Sequence, residues 1–251
     1  MRKLLQIVLM LLSKKALRKH QIELIVVTGW IGLDLVKDGI YQILSEKYIV
    51  RRNVNPVWWD LSIPLNILGY EDKQRGFLGW LNIILRSIFL IHFGPSNKHI
   101  LILTAESGRE DTAKYWKGFL MPSLLVVVNN KKESEVTNIL VKNTAQKGVV
   151  IYDKDDLGNT KIKNGFDYGI NTDATVMFKE NKEKITVKYK KYSVSIPKYF
   201  APAFTKGIIA PVIACAISKG MSMDEIANGF IKFDMRNTIL KKLSNTIATE
   251  K

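Results

Sequence analysis

The sequence predicts an α/β fold: a mostly parallel sheet flanked by helices, with a smaller antiparallel β element. Three observations carry that prediction. Short apolar runs rich in Ile and Val recur along the chain, each followed by a segment whose apolar residues fall at helical spacing. The runs are apolar at nearly every position rather than every second one, which marks strands covered on both faces. Composition agrees: 251 residues, 47% hydrophobic and 24% charged, with no low-complexity tract, are enough to bury a full core.

The chain opens with "MRKLLQIVLMLLSKKALRKHQ", a basic amphipathic helix over residues 1–20. Leu4 to Leu12 is apolar apart from Gln6 and is flanked by Arg2, Lys3, Lys14, Lys15, Arg18 and Lys19. That stretch is too short to cross a bilayer and has no small-residue cleavage site. It suits a helix on an anionic membrane surface. A helix packed on the protein body explains it equally well, and both readings stand.

Residues 21–251 read as one α/β domain, without repeat or linker. "IELIVVTG" is a buried strand ending at glycine, and Leu35, Ile40, Ile43 and Leu44 give the following segment a helical face. "KYIVRRNVN" is extended, "PVWWDLSIPLNILGY" follows, and a helix is expected from Phe77 to His92. "KHILILTAES" is a strand, "GREDTAKYWKGF" a helix, and "SLLVVVNN" a strand. After a helix to about residue 145 come the strand "GVVIYD" and a turn at "DDLGN". "ATVMFKENKEKITVKYKKYSVSI" alternates apolar and polar residues around a Glu-Asn-Lys turn, as antiparallel strands with one solvated face do. A helix-rich segment runs from Pro202 to Lys219, and Ser222 with Glu225 three residues on forms a capping-box pattern.

The net charge of +15 raises the local anion concentration, so acidic lipid, phosphorylated ligands and nucleic acid are the partner classes it admits. Basic residues are scattered and show no signature of interleaved basic and aromatic side chains, which places nucleic acid last. A single cysteine, Cys215, excludes an internal disulfide and suits a reducing cytoplasm; three dispersed histidines give little support to a histidine metal cage.

The densest motif is "VVTGWIGLDLVK" at 26–37: strand, glycine turn, helix. A phosphate loop has this outline because backbone N–H groups and a helix start converge on an anion, while lysine neutralises phosphate and a hydroxyl holds magnesium. Gly-x-x-Gly equally marks an ordinary tight turn. Thr28, Gly29 and Gly32 keep the turn, but Leu33 and Asp34 stand where lysine and the hydroxyl belong.

Taken in order, the motifs resemble the central ATP-binding domain of the Mur ligases, most closely the members that add D-alanyl-D-alanine to a UDP-muramoyl-tripeptide. The family's loop, Thr-Gly-Ser-x-Gly-Lys-Thr-Ser/Thr-Thr-Lys, is matched at Thr28, Gly29, Gly32 and Lys37. "WWDLSIPLNIL" keeps Pro64, Leu65 and Leu68 of the next block, with Asp60 for its glutamate and Trp58 and Trp59 for its two asparagines. Glu106 falls where the family has a magnesium-holding glutamate; Asp111, Pro122, Asn129, Asp155 and Asp156 follow in the family's order. "APVIACAISKGMSMDEIANGFIKF" is similar to its alanine-rich helix, glycine and second helix. The matches extend over about 200 residues.

The departures gather at chemical positions. No histidine follows Asn129 and Asn130, no His-Asn pattern precedes the alanine-rich helix, and the sequence holds no counterpart of the family's acceptor-binding C-terminal domain. The resemblance therefore implies a catalytically impaired homologue: a binding or scaffolding module in the cytoplasm beside an intact ligase or another cell-wall synthesis protein, with no cofactor expected. The first alternative is an active ligase with an altered loop and an acceptor domain supplied in trans, using ATP and magnesium held by Asp34 and Glu106. Asp60, Asn129, Asp155 and Asp156 are its ligand-facing candidates. The second alternative is a basic protein that binds a membrane surface or polyanion, peripheral at the inner face of the membrane. Trp58 and Trp59 are expected to be structural, since neighbours in an extended chain face opposite sides.

Overall fold

The computed structural model describes residues 2–53, 60–71, 73, 75–96, 98–106, 115–117, 119–128, 134–144, 147–157, 162–170, 173–197 and 205–232. Among these, nine strands form one sheet: β1 (Glu23–Gly29), β2 (Val50–Arg52), β3 (Ile100–Glu106), β4 (Leu124–Val128), β5 (Val149–Asp153), β6 (Gly165–Gly169), β7 (Val176–Glu180), β8 (Lys184–Tyr189) and β9 (Tyr192–Pro197). Their spatial order is β2-β3-β1-β4-β5-β6-β7-β8-β9. Pairing is parallel from β2 through to β7 and antiparallel from β7 to β9. The antiparallel element expected from the sequence thus extends the edge of the same sheet. β6 was not anticipated; "GFDYG" lacks an apolar run, yet it pairs in parallel with β5.

The period-two alternation of strand side chains assigns each residue to one of two cores. Ile25, Val27, Ile102, Val126 and Ile151 point to one side. There they meet α2 (Leu33–Leu44), α7 (Thr205–Ser218) and α8 (Met223–Lys232). Leu24, Val26, Leu101, Leu103 and Leu125 point to the other. That side is covered by α1 (Arg2–Lys19), α3 (Ser62–Leu68), α4 (Phe77–Phe93) and α5 (Glu135–Thr144). Burial on both faces is why these strands read as unbroken apolar runs.

Local signals hold where they are self-contained. At the start of α8 the Ser222 hydroxyl accepts from the Glu225 N–H at 3.2 Å, and the Glu225 carboxylate accepts from the Ser222 N–H at 2.7 Å. Between β7 and β8, Asn181 Oδ1 accepts from the N–H groups of Glu183 and Lys184. The "DDLGN" turn begins as one helical turn, α6 (Lys154–Leu157). Most of the helix expected at 108–119 lies outside the described residues, as do Trp58 and Trp59.

α1 is seated on the body. Leu9 and Leu12 are buried against α3, α4 and the sheet, and Asp60 accepts from Arg2 at 2.9 Å and from Gln6 at the helix's first turns. Leu9→Ala is therefore expected to cost about 2–5 kcal/mol in urea denaturation, the range for emptying a buried leucine site. A helix detached from the domain would lose almost nothing.

Candidate functional site

In an open parallel sheet, ligands bind beyond the carboxyl ends of strands where the order of growth reverses. Here the chain leaves β3 and crosses β1 to lay down β4 on its other side, so the reversal falls at β1. The candidate site is the turn at its carboxyl end, Gly29 to Gly32. Register places Gly29 opposite both Glu106 at the end of β3 and Val128 at the end of β4.

Backbone conformation explains both glycines. Gly29 has φ 141°, and a side chain there would lie 1.8 Å from the Val128 carbonyl oxygen. Gly32, at φ 80°, is the left-handed residue from which α2 starts. Only glycine adopts these values without strain. The Thr28 hydroxyl is buried and donates to the Ala105 carbonyl at 2.7 Å, fastening β1 to β3.

The two replaced positions behave differently. Leu33 is 8% exposed and packs in the same core cluster as Ile208 of α7, whose side chain also stands 3.6 Å from the Cβ position at Gly32. The site of the loop lysine is thus part of the apolar core. Asp34 is in the first turn of α2, where a carboxylate opposes the helix dipole favourably. Its charge does not stand alone. Lys37, 1% exposed, donates from Nζ to Asp34 Oδ1 at 2.9 Å and to the Asn53 carbonyl at 2.9 Å, and lies 3.8 Å from Asp38. Arg52 closes the network by pairing with Asp38 and lying over the Tyr41 ring. Among these four groups two carboxylates and two cations balance.

Lys37 was anticipated only as a matching motif residue. Its burial, and the parts played by Asp38, Arg52 and Asn53, were missed. The i, i+3 spacing of Asp34 and Lys37 was the available signal.

The remaining candidates are spread over several elements. Glu106 is exposed at the end of β3. Asp60 is turned to α1, as described above. Asp155 accepts from the Ile170 N–H at 3.0 Å, and its own N–H donates to Asp153 Oδ1 at 2.9 Å, so it ties α6 to the ends of β5 and β6. Asp156 is half-buried beside it. Burial, then Asp153, Asp156 and Asp155, hold the Tyr168 phenol well above its usual range. Asn129 and Asp111 lie outside the described residues. Among the described residues, no group of three or more His, Cys, Asp or Glu side chains is placed to hold a metal ion.

With this geometry the fold is the Mur ligase domain fold. The structure matches MurF from Acinetobacter baumannii with a TM-score of 0.64 at 13% identity, covering 90% of this chain and 49% of that one. It matches MurF from Thermotoga maritima, solved in complex with ADP, with a TM-score of 0.62 at 14% identity, covering 87% and 51%. A pseudomurein peptide ligase type C from Methanothermus fervidus gives 0.56 at 11% identity, covering 86% and 50%. The chain spans about half the length of these proteins. No protein-family model matches the sequence, and no curated protein matches it. At such identities the likeness carries the fold and leaves the chemistry to the site.

The network predicts an order of stabilities. Lys37→Met is expected to cost about 2–3 kcal/mol, since it leaves charged acceptors beneath the loop without their buried donor. Asp34→Asn is expected to cost under about 1 kcal/mol, because Asp34 is one-third exposed and Lys37 keeps its other partners. Urea denaturation of the two variants checks the order.

Proposed function

We propose that this chain is a Mur-ligase-like domain that has lost the ATP-dependent step and serves as a binding or scaffolding module for a cell-wall synthesis protein in the cytoplasm, an intact ligase being the first partner to test. The observation that carries the reading is Leu33. The position at which the resemblance expects a phosphate-binding lysine holds a side chain packed against α7.

Amide ligation through an acyl phosphate needs its developing charge neutralised by a cation and a metal. Leucine supplies neither. Losing one charge-assisted phosphate contact costs about 1.5–3 kcal/mol, roughly ten- to over a hundredfold in affinity. Lys37 offers no substitute, being buried and engaged by Asp34 and Asn53. Asp34, as the partner of Lys37, is a poor metal ligand, and the described residues do not fit a magnesium–nucleotide site of the family's pattern.

A second reading, an active ligase with its acceptor domain in trans, is favoured by one feature: register sets Glu106 opposite Gly29 at the start of the glycine turn. Titration calorimetry separates the two. With Mg-ATP raised to several millimolar, the first reading expects no saturable heat, and saturable binding would overturn it. The second expects saturable binding that Glu106→Gln abolishes.

A further inference from the structure

α4 is apolar on both of its sides. Ile83, Ser87 and Ile91 face inward and are buried. At 100° per residue, Leu78, Leu85 and Phe89 fall on the opposite line, with Leu81, Ile88 and Phe93 beside them. All six are exposed, Leu85 by 58%, Phe89 by 59%, and Leu78 and Phe93 by 77% each. Apart from Asn82, Arg86 and His92 the exposed side of α4 is apolar, and such a face suits a nonpolar medium. Monomeric proteins in water rarely present so continuous an apolar surface without using it.

α1 runs beside α4 in the same direction. Leu9 packs with Ile83 in its first half, and Ser96, just past α4, donates to the Lys19 carbonyl at its end. The outward line of α1 begins with the exposed Leu4, Ile7 and Leu11 and continues through Lys15 and Arg18. Neither helix contains an Asp or Glu; α1 carries six Arg or Lys residues, and α4 carries Arg86. A cleft of about 230 Å³ opens between their carboxyl ends. Arg51, His20, His99 and Ser87 supply its polar wall, and no acidic side chain among the described residues lines it. Burial lowers the pKa of Arg51.

An exposed apolar helix face beside a helix rich in Arg and Lys, with no acidic side chain on either helix, matches the two layers of one kind of surface, hydrocarbon beneath closely spaced phosphates. We propose that the outward faces of α4 and α1 seat this protein on a bilayer rich in anionic lipid. The apolar side chains enter the boundary between headgroups and acyl chains, and Lys14, Lys15, Arg18 and Arg86 lie among the headgroups. The protein rests on the surface: no helix among the described residues is long and apolar enough to cross a membrane. The proposal is independent of whether the glycine loop binds nucleotide.

Sedimentation of the full chain with phosphatidylcholine vesicles, with and without phosphatidylglycerol, tests it. Binding is expected on the anionic vesicles, weaker by about tenfold or more on neutral ones and in high salt. Leu85→Glu combined with Phe89→Glu is expected to lower anionic-vesicle binding about tenfold or more with an unchanged circular dichroism spectrum, since both side chains are already in water. A second readout needs no loss of binding. An environment-sensitive dye on Phe89→Cys should shift to the blue on anionic vesicles, whereas one on Ser45→Cys, at the end of α2 across the sheet, should not. Native Cys215 leaves the labelling specific, being fully buried with its thiol pushed up to about 12 by burial. Absence of binding to anionic vesicles, equal binding of the double variant, or equal response of the two dyes overturns the proposal. So does a concentration-dependent blue shift at position 89 without lipid, which would make the face a contact between copies of this chain.

Discussion

The close approach of β1 to β4 governs the carboxyl edge of the sheet. The Val128 carbonyl lies where a side chain at position 29 would have to go, so β1 ends in a bare backbone turn. From that turn Gly32 reverses into α2 through a left-handed conformation. A loop so formed keeps the outline of an anion cradle whatever side chains follow it, because the outline is set by strand register and two φ angles. Shape and chemistry are therefore separable here.

Leu33 and Lys37 show how the separation is made. In a cradle that holds triphosphate, a cation has to remain solvated or ligand-facing until the anion arrives. Here the first helical position is filled by leucine, drawn into the cluster around Ile208, and the basic residue one turn on is turned inward between Asp34 and the Asn53 carbonyl. A buried ammonium is costly unless paired and hydrogen-bonded, and this one has both kinds of partner. The network stabilises the start of α2 against β2 without a ligand. That removes the physical need for an anion to organise the turn.

How much of this the sequence disclosed depends on how local each cause is. β1, β3, β4 and β5 were legible because burial on both faces forces unbroken Ile, Leu and Val runs. The capping box at Ser222 and the Asn181 turn were legible because both partners sit within three residues. β6 was not, since "GFDYG" owes its strand to pairing with β5 rather than to its own composition. The state of Lys37 was not legible either: it depends on Asn53, sixteen residues away, and on α7, more than 160 residues away, burying its neighbour Leu33. Asp60 looked ligand-facing through its place in a motif, and only the docking of α1 reveals Arg2 and Gln6 as its partners.

The two unusual surfaces occupy opposite edges of the sheet, which bears on how they can be used. The glycine turn lies at the carboxyl end of β1. α1 runs into the start of β1 and α4 into the start of β3, so the carboxyl ends of both helices, the basic side chains there and the cleft beside His20 and His99 lie at the amino edge. Parallel strands enforce this division, since every crossover element must begin near one edge and finish near the other. A surface that covered the α1 and α4 face would leave the turn open, and a ligand or partner at the turn would leave the apolar helices free. In a parallel α/β sheet an added attachment face meets least conflict on the covering helices and around the amino edge, because the loops that bind and react gather at the other.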